Sequence, residues 1–142
     1  MRHIVFAGLF GLMPLPLAAQ VFEAVNRLLV VPLSANTFEV IEARGEGPRG
    51  MWCAAADFAQ RYGTPRQQRL YVKTPRGPSV SGAGRTGVTF TTDASSLGVP
   101  EQQSVSVSVR IAGLGLPVNH ALQFCKDYQI ELEDILLRRW RD

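Results

Sequence analysis

The chain has 142 residues, with 15 Lys plus Arg against 12 Asp plus Glu and a net charge of +3, a length that suits one domain with one core and leaves too little for two. With 46% apolar and 19% charged residues, burial can offset chain entropy, which excludes wholesale disorder. The basic residues are scattered from Arg27 to Arg141, and only Arg138, Arg139 and Arg141 cluster, so the basic stripe that a nucleic-acid partner requires is missing.

Met1 to His3 carry one fixed positive charge, and Ile4 to Met13 form an apolar run broken only by Gly8 and Gly11. Pro14 and Pro16 end it, and the small pair Ala18 and Ala19 follows. This three-part order predicts a secretory signal peptide over residues 1–20 and a single domain over 21–142. The run is short for a membrane span, and no later stretch approaches the length needed, so no stable span is expected after cleavage. The alternative for Ile4 to Leu17 is an N-terminal core helix or an uncleaved anchor. Cys53 and Cys125 both lie in the remainder. An even cysteine count in an exported chain favours a disulfide, closing a loop whose chain-entropy value is about 4 kcal/mol. The alternative is two separately buried thiols.

Arg27 to Val31 and Phe38 to Ala43 read as two strands joined by a short polar turn at Ser34 to Asn36, an antiparallel hairpin. A Gly-rich loop, Arg44 to Gly50, leads to a helix over about 49–62, in which Met51, Ala55, Phe58, Ala59 and Tyr62 share one face. Pro48 suits its first turn, and Gly63, Thr64 and Pro65 stop it. Ala54, Ala55, Ala56 and Ala59 make a wall small enough for close approach to a sheet. Trp52 and Cys53 stand near the start of this helix, so a crosslink would tie it to the segment around Cys125.

Gln68 to Thr74 reads as a strand ended by Pro75, and Pro75 to Gly84, rich in Gly, Pro and Ser, as a mobile surface loop. Gly87 to Thr92 alternates as a half-buried strand. The clearest strand pattern is Val105, Val107, Val109 and Ile111 against Ser104, Ser106, Ser108 and Arg110. Val118 to Lys126 is expected as a strand because Val118, His120, Leu122 and Phe124 alternate; a helix through His120 to Phe124 is the alternative. At the end, Leu132, Ile135, Leu136 and Trp140 share a helical face, with acidic residues early and arginines late, as the helix dipole favours. That face is expected to close the chain's own core; docking on a partner or a membrane surface is the alternative. The expected architecture is therefore α+β: four to six mostly antiparallel strands, one main helix packed on them, and a short C-terminal amphipathic helix.

No catalytic, cofactor or metal-ligating residue is assigned. His120 is the only histidine after the leader, so a zinc site would need it with both cysteines and a carboxylate, without paired-ligand spacing. A Cys nucleophile needs a free thiolate, which a disulfide removes, and no G-x-S-x-G elbow supports a Ser triad. Gly82-Ala83-Gly84-Arg85 lacks the strand-loop-helix setting and the Lys of a phosphate loop. Glu131, Glu133 and Asp134 read as helix-start charges rather than as a glycosidase pair. A contact surface is expected on the exposed Ser and Thr strand faces or on the 75–85 loop, at Ser79, Ser81 and Arg85.

The stretch Met51-Trp52-Cys53-Ala54-Ala55-Ala56-Asp57-Phe58-Ala59, a Trp-Cys opening an Ala-rich helix behind a Gly-rich loop, resembles small exported proteins of alphaproteobacteria with no assigned function, over a region from Phe38 to Phe90. The resemblance implies periplasmic residence and a structural Trp-Cys pair, and it transfers no activity. The function expected is that of a periplasmic or secreted, non-enzymatic domain that binds or supports another envelope protein, with a small hydrolase or a secreted enzyme inhibitor as the alternative.

Overall fold

A computed structural model describes residues 20–141. The signal peptide expected at the N-terminus lies, apart from Gln20, outside the described residues. The elements run β1 (Phe22–Glu23), β2 (Leu29–Pro32), β3 (Thr37–Ile41), α1 (Gly47–Arg61), β4 (Arg69–Pro78), β5 (Thr86–Thr91), a 3-10 turn (Ala94–Ser96), β6 (Gly115–Pro117), α2 (Val118–Ala121) and α3 (Gln123–Arg139). The six strands form one sheet in the order β1-β2-β3-β5-β4-β6, and every neighbouring pair is antiparallel. The fold is α+β, as the pattern predicts.

α1 forms where expected. Pro48 sits in its first turn, where a missing N–H costs nothing. At its end Gly63 takes a φ of +89°, and the N–H of Thr64 turns back to the carbonyl of Ala59 at 2.9 Å, closing the last turn as a helix C-terminus requires. Its alanine wall is fully buried, and that close approach lets Trp52 meet Phe90 of β5 edge to face at 4.9 Å. On the sheet side the core takes Val30, Phe38, Val40, Val72, Val88 and Phe90. Burying a side chain of this size stabilises by about 1.5–3 kcal/mol, so this layer carries most of the apolar driving force.

β1 is too short to announce itself in the sequence. It enters the sheet because its turn docks on α1. Asn26, fully buried, donates to the carbonyl of Gly50 at 2.8 Å, and the N–H of Val25 donates to Asp57 at 2.8 Å.

Three expectations are corrected. First, 104–111 is not a strand. The N–H groups of Ser106, Ser108 and Arg110 donate to the hydroxyls of Ser104, Ser106 and Ser108 at 3.0, 3.2 and 3.1 Å. Each serine thus takes the donor that a β-ladder would have used. The segment runs instead as a strap over the domain. The carbonyl of Val107 accepts from the Trp52 indole at 2.9 Å and that of Val109 from the N–H of Arg76 at 2.8 Å. Only Val109 of the four apolar positions is buried, and Val105 is wholly exposed.

Second, Val118 to Lys126 is helical rather than extended. Val118, Ala121, Leu122 and Cys125 also lie at i, i+3, i+4 and i+7, the spacing of a helix face, and three of these four are buried while Leu122 packs at the core edge. Helical periodicity therefore outweighs the weaker alternation of Val118, His120, Leu122 and Phe124. Third, the C-terminal helix is not short and its apolar face does not close the core. α3 spans 17 residues and buries only Cys125. Leu132, Ile135, Leu136 and Trp140 are all exposed, Trp140 to 88%. No helix among the described residues is long and apolar enough to cross a membrane.

The cysteines form the expected disulfide. Cys53 and Cys125 are bonded across a separation of 72 residues, with Cα atoms 5.0 Å apart. Beside the bridge, Arg49 lies over the Phe124 ring at 5.6 Å and meets Asp127 at 3.5 Å. The N-terminal ends of α1 and α3 are thus joined covalently and by one cation.

Candidate functional site

β3 is buried along its whole length, which one packed face cannot explain. Phe38 and Val40 face α1 and the core, so Thr37, Glu39 and Ile41 point to the other side of the sheet. There Glu39 and Ile41 are covered by the chain that links β4 to β5, and Thr37 packs beside Thr91. β4 does not stop at Pro75, as the sequence suggests, but continues to Pro78 through two register shifts against β5. Pro75 falls inside one of those shifts, where the strand needs no ladder donor. The remaining link, Ser79 to Arg85, folds back over the sheet.

Glu39 is the centre of this arrangement and is 1% exposed. Its Oε1 accepts from the N–H of Val80 at 2.8 Å, and its Oε2 accepts from the N–H of Ser81 and the hydroxyl of Ser79, each at 3.0 Å. The Ser81 hydroxyl also donates to Oε2. Two glycines make room: a Cβ on Gly87 would overlap the Glu39 carboxylate, and one on Gly84 would overlap the Ile41 side chain. Burial opposes ionisation of Glu39, but the hydrogen bonds from Ser81, Val80 and Ser79 outweigh it and hold its pKa below the ordinary carboxylate range. The result is an ionised carboxylate that acts as a latch, fixing the loop's backbone by charge-assisted hydrogen bonds.

In the contact loop expected from sequence, Ser79 and Ser81 turn their hydroxyls inward to Glu39 and hold the loop. The Glu39 hydrogen bonds pin it at Ser79 to Ser81. Arg85 does project outward, together with Val80, Gly82 and Ala83. Glu39 itself was not legible. A Glu on the outer face of an alternating strand is the ordinary solvent-facing pattern, and only the spacing of Ser79 and Ser81 could have hinted at an acceptor between them.

His120 is exposed and lines an open cleft of about 630 Å³ with Arg69, Ser104, Val105 and Leu116. No carboxylate lines this cleft. Arg69 is engaged with the carbonyl of Gly115 at 2.5 Å. Nearby, burial and the adjoining Glu101 raise the pKa of the Tyr71 phenol, which keeps it protonated. Among the described residues no three His, Cys, Asp or Glu side chains are grouped to hold a metal ion. The tail arginines, Arg138, Arg139 and Arg141, ride on the exposed end of α3.

No family model, curated protein or solved structure matches the chain.

Proposed function

We propose that the protein is a non-enzymatic domain of the periplasm or the extracellular side that binds or supports another envelope protein through the latched loop between β4 and β5. The observation that carries this reading is the commitment of a fully buried carboxylate to the shape of a surface loop. A loop held in one conformation loses little entropy when it meets a partner, and binding residues concentrate on loops positioned by a rigid scaffold. Val80, Ala83 and Arg85 form its outward surface. An oxidising address is supported by the Cys53–Cys125 bond and by the signal-like order of residues 1–20. The resemblance of the Trp52-Cys53 helix to exported alphaproteobacterial proteins points the same way.

A photo-crosslinking side chain placed at Ala83 in cells tests the reading, with the same probe at Arg66, in the turn before β4, as control. A discrete protein adduct from Ala83 alone, lost when Glu39→Ala frees the loop, is the expected result. No adduct, or equal adducts at both positions, would remove the loop as a contact element. Cell fractionation with intact-mass measurement tests the address: a processed, disulfide-bonded species outside the cytoplasm is expected, and a full-length cytoplasmic dithiol would contradict it.

A further inference from the structure

The strap is held at its two ends. At one, Gln102 exchanges main-chain hydrogen bonds with Gly113 and Gly115 at 2.9 and 3.3 Å; at the other, the Trp52 indole holds the carbonyl of Val107 at 2.9 Å. Between these anchors, no hydrogen bond among the described residues engages the main-chain N–H or carbonyl groups of Gln103, Ser104 and Val105. All three residues are exposed, Val105 wholly so. A main chain fixed at both ends and open in the middle is a template for a second main chain. This open stretch lines the cleft of about 630 Å³ together with β6, which contributes Leu116 and Pro117. β6 has little left to donate there: the Gly115 N–H meets Gln102, its carbonyl accepts from Arg69, and Pro117 has no N–H. Arg69 and His120 complete the lining. Arg69 makes no ion pair among the described residues, and its bond to Gly115 uses one of five donors. Glu101 adjoins Tyr71 and does not line the cleft.

We propose that this cleft docks an acidic, extended segment of a partner polypeptide, its main chain laid along Gln103 to Val105 and a carboxylate bound by Arg69, with His120 as a further N–H donor. Charge selects the ligand's sign. A guanidinium with donors to spare and no carboxylate in the lining favours an anion, and it pairs with a carboxylate through two parallel hydrogen bonds. The open wall selects a peptide. Its N–H and carbonyl groups need acceptors and donors in turn, which another main chain supplies at about 3.3 Å per residue. A fatty-acid chain supplies neither. Leu116 and Pro117 give the segment an apolar surface to cover. Because Gln102 and Val107 already fix the strap, little of its freedom is lost on binding. The contact is small, the size of weak associations, so a micromolar dissociation constant is expected. This site is separate from the latched loop, and the proposal does not depend on that reading.

Selection of a randomised peptide library against the oxidised protein tests it. Enriched peptides are expected to carry Asp or Glu beside apolar residues, to bind with micromolar affinity by fluorescence polarisation, and to shift the amide signals of Ser104, Val105 and Leu116 in an NMR titration. Arg69→Gln, which keeps a donor for the Gly115 carbonyl, should weaken binding about tenfold. Val105→Asp, at a position where the side chain packs on nothing, should also weaken it, because it sets a like charge in the cleft. An empty selection would overturn the proposal, as would enrichment of peptides without acidic residues. Binding indifferent to Arg69→Gln or to Val105→Asp, or amide shifts confined to the Val80 to Arg85 loop or to α3, would do the same. Decanoate that shifts the cleft amides where no peptide binds would also overturn it and assign the cleft to a small amphiphile.

Discussion

α1 and α3 are helices of 15 and 17 residues joined by one disulfide, yet they stand in opposite relations to the core. α1 buries nine side chains or glycine positions, from Gly50 to Ala59, and α3 buries one. Both sequences are amphipathic. The difference lies in what their apolar faces meet: α1 brings small alanines against the sheet, whereas α3 meets α1 and α2 and buries only Cys125. An apolar face thus specifies that something will cover it, and topology decides whether the same chain supplies the cover. The disulfide belongs to the first turn of α3 alone, so it fixes where the helix begins without burying where it ends.

The two tryptophans give the sharpest test of this contrast. Trp52→Ala should cost about 3–5 kcal/mol, because it opens a cavity beside Phe90 and leaves the Val107 carbonyl without its donor. Trp140→Ala, at an 88% exposed position, should change monomer stability by less than about 0.5 kcal/mol. Urea denaturation of the two variants measures both. Equal costs would mean that α3 packs on the domain after all.

Removing the bridge is expected to have the next largest effect. Cys125→Ala should lower stability by about 4 kcal/mol on the chain-entropy account, with α1 still helical and the first turn of α3 released from Arg49. Circular dichroism and denaturant midpoints measure the two parts separately. A loss well below this would show that α1 and α3 are held together without the covalent bond.

The Glu39 latch should contribute less, about 2–3 kcal/mol for charge-assisted hydrogen bonds lost in Glu39→Gln. Its sign with pH is fixed by the direction of its shift. Because the folded carboxyl is more acidic than the unfolded one, the contribution is complete above the ordinary carboxylate range. It is lost as pH falls through that range and below it. The amides of Val80 and Ser81 should then exchange faster in acid than the Phe90 amide, relative to their intrinsic rates. A Glu39→Gln variant with unchanged stability at neutral pH would contradict the latch.

The smallest effect belongs to the strap. Ser106→Ala removes one acceptor and should raise the exchange rate of the Ser108 amide while costing no more than about 1 kcal/mol.

Much of this architecture was legible in the sequence. Pro48, the alanine wall and Gly63 delimit α1 almost to the residue, and Phe38, Val40, Val88 and Phe90 alternate because one sheet face meets that helix. The errors share a cause: periodicity reports which side chains could face a core, not where the backbone donors go. At Ser104 to Arg110 the hydroxyls take those donors, so a regular alternation yields no strand. At Val118 to Cys125 two periods coexist, and the one that buries more side chains prevails. Glu39 was hidden for a further reason, since its burial depends on a link some 40 residues later that folds back over the sheet.

Residue-resolved hydrogen exchange on the oxidised protein tests the contrast between the helices most directly. Amides of α1 from Met51 to Ala59 should open only with global unfolding, while those of α3 beyond Gln129 should exchange through local fraying, orders of magnitude faster. Protection extending to Leu136 at the level of α1 would contradict the account.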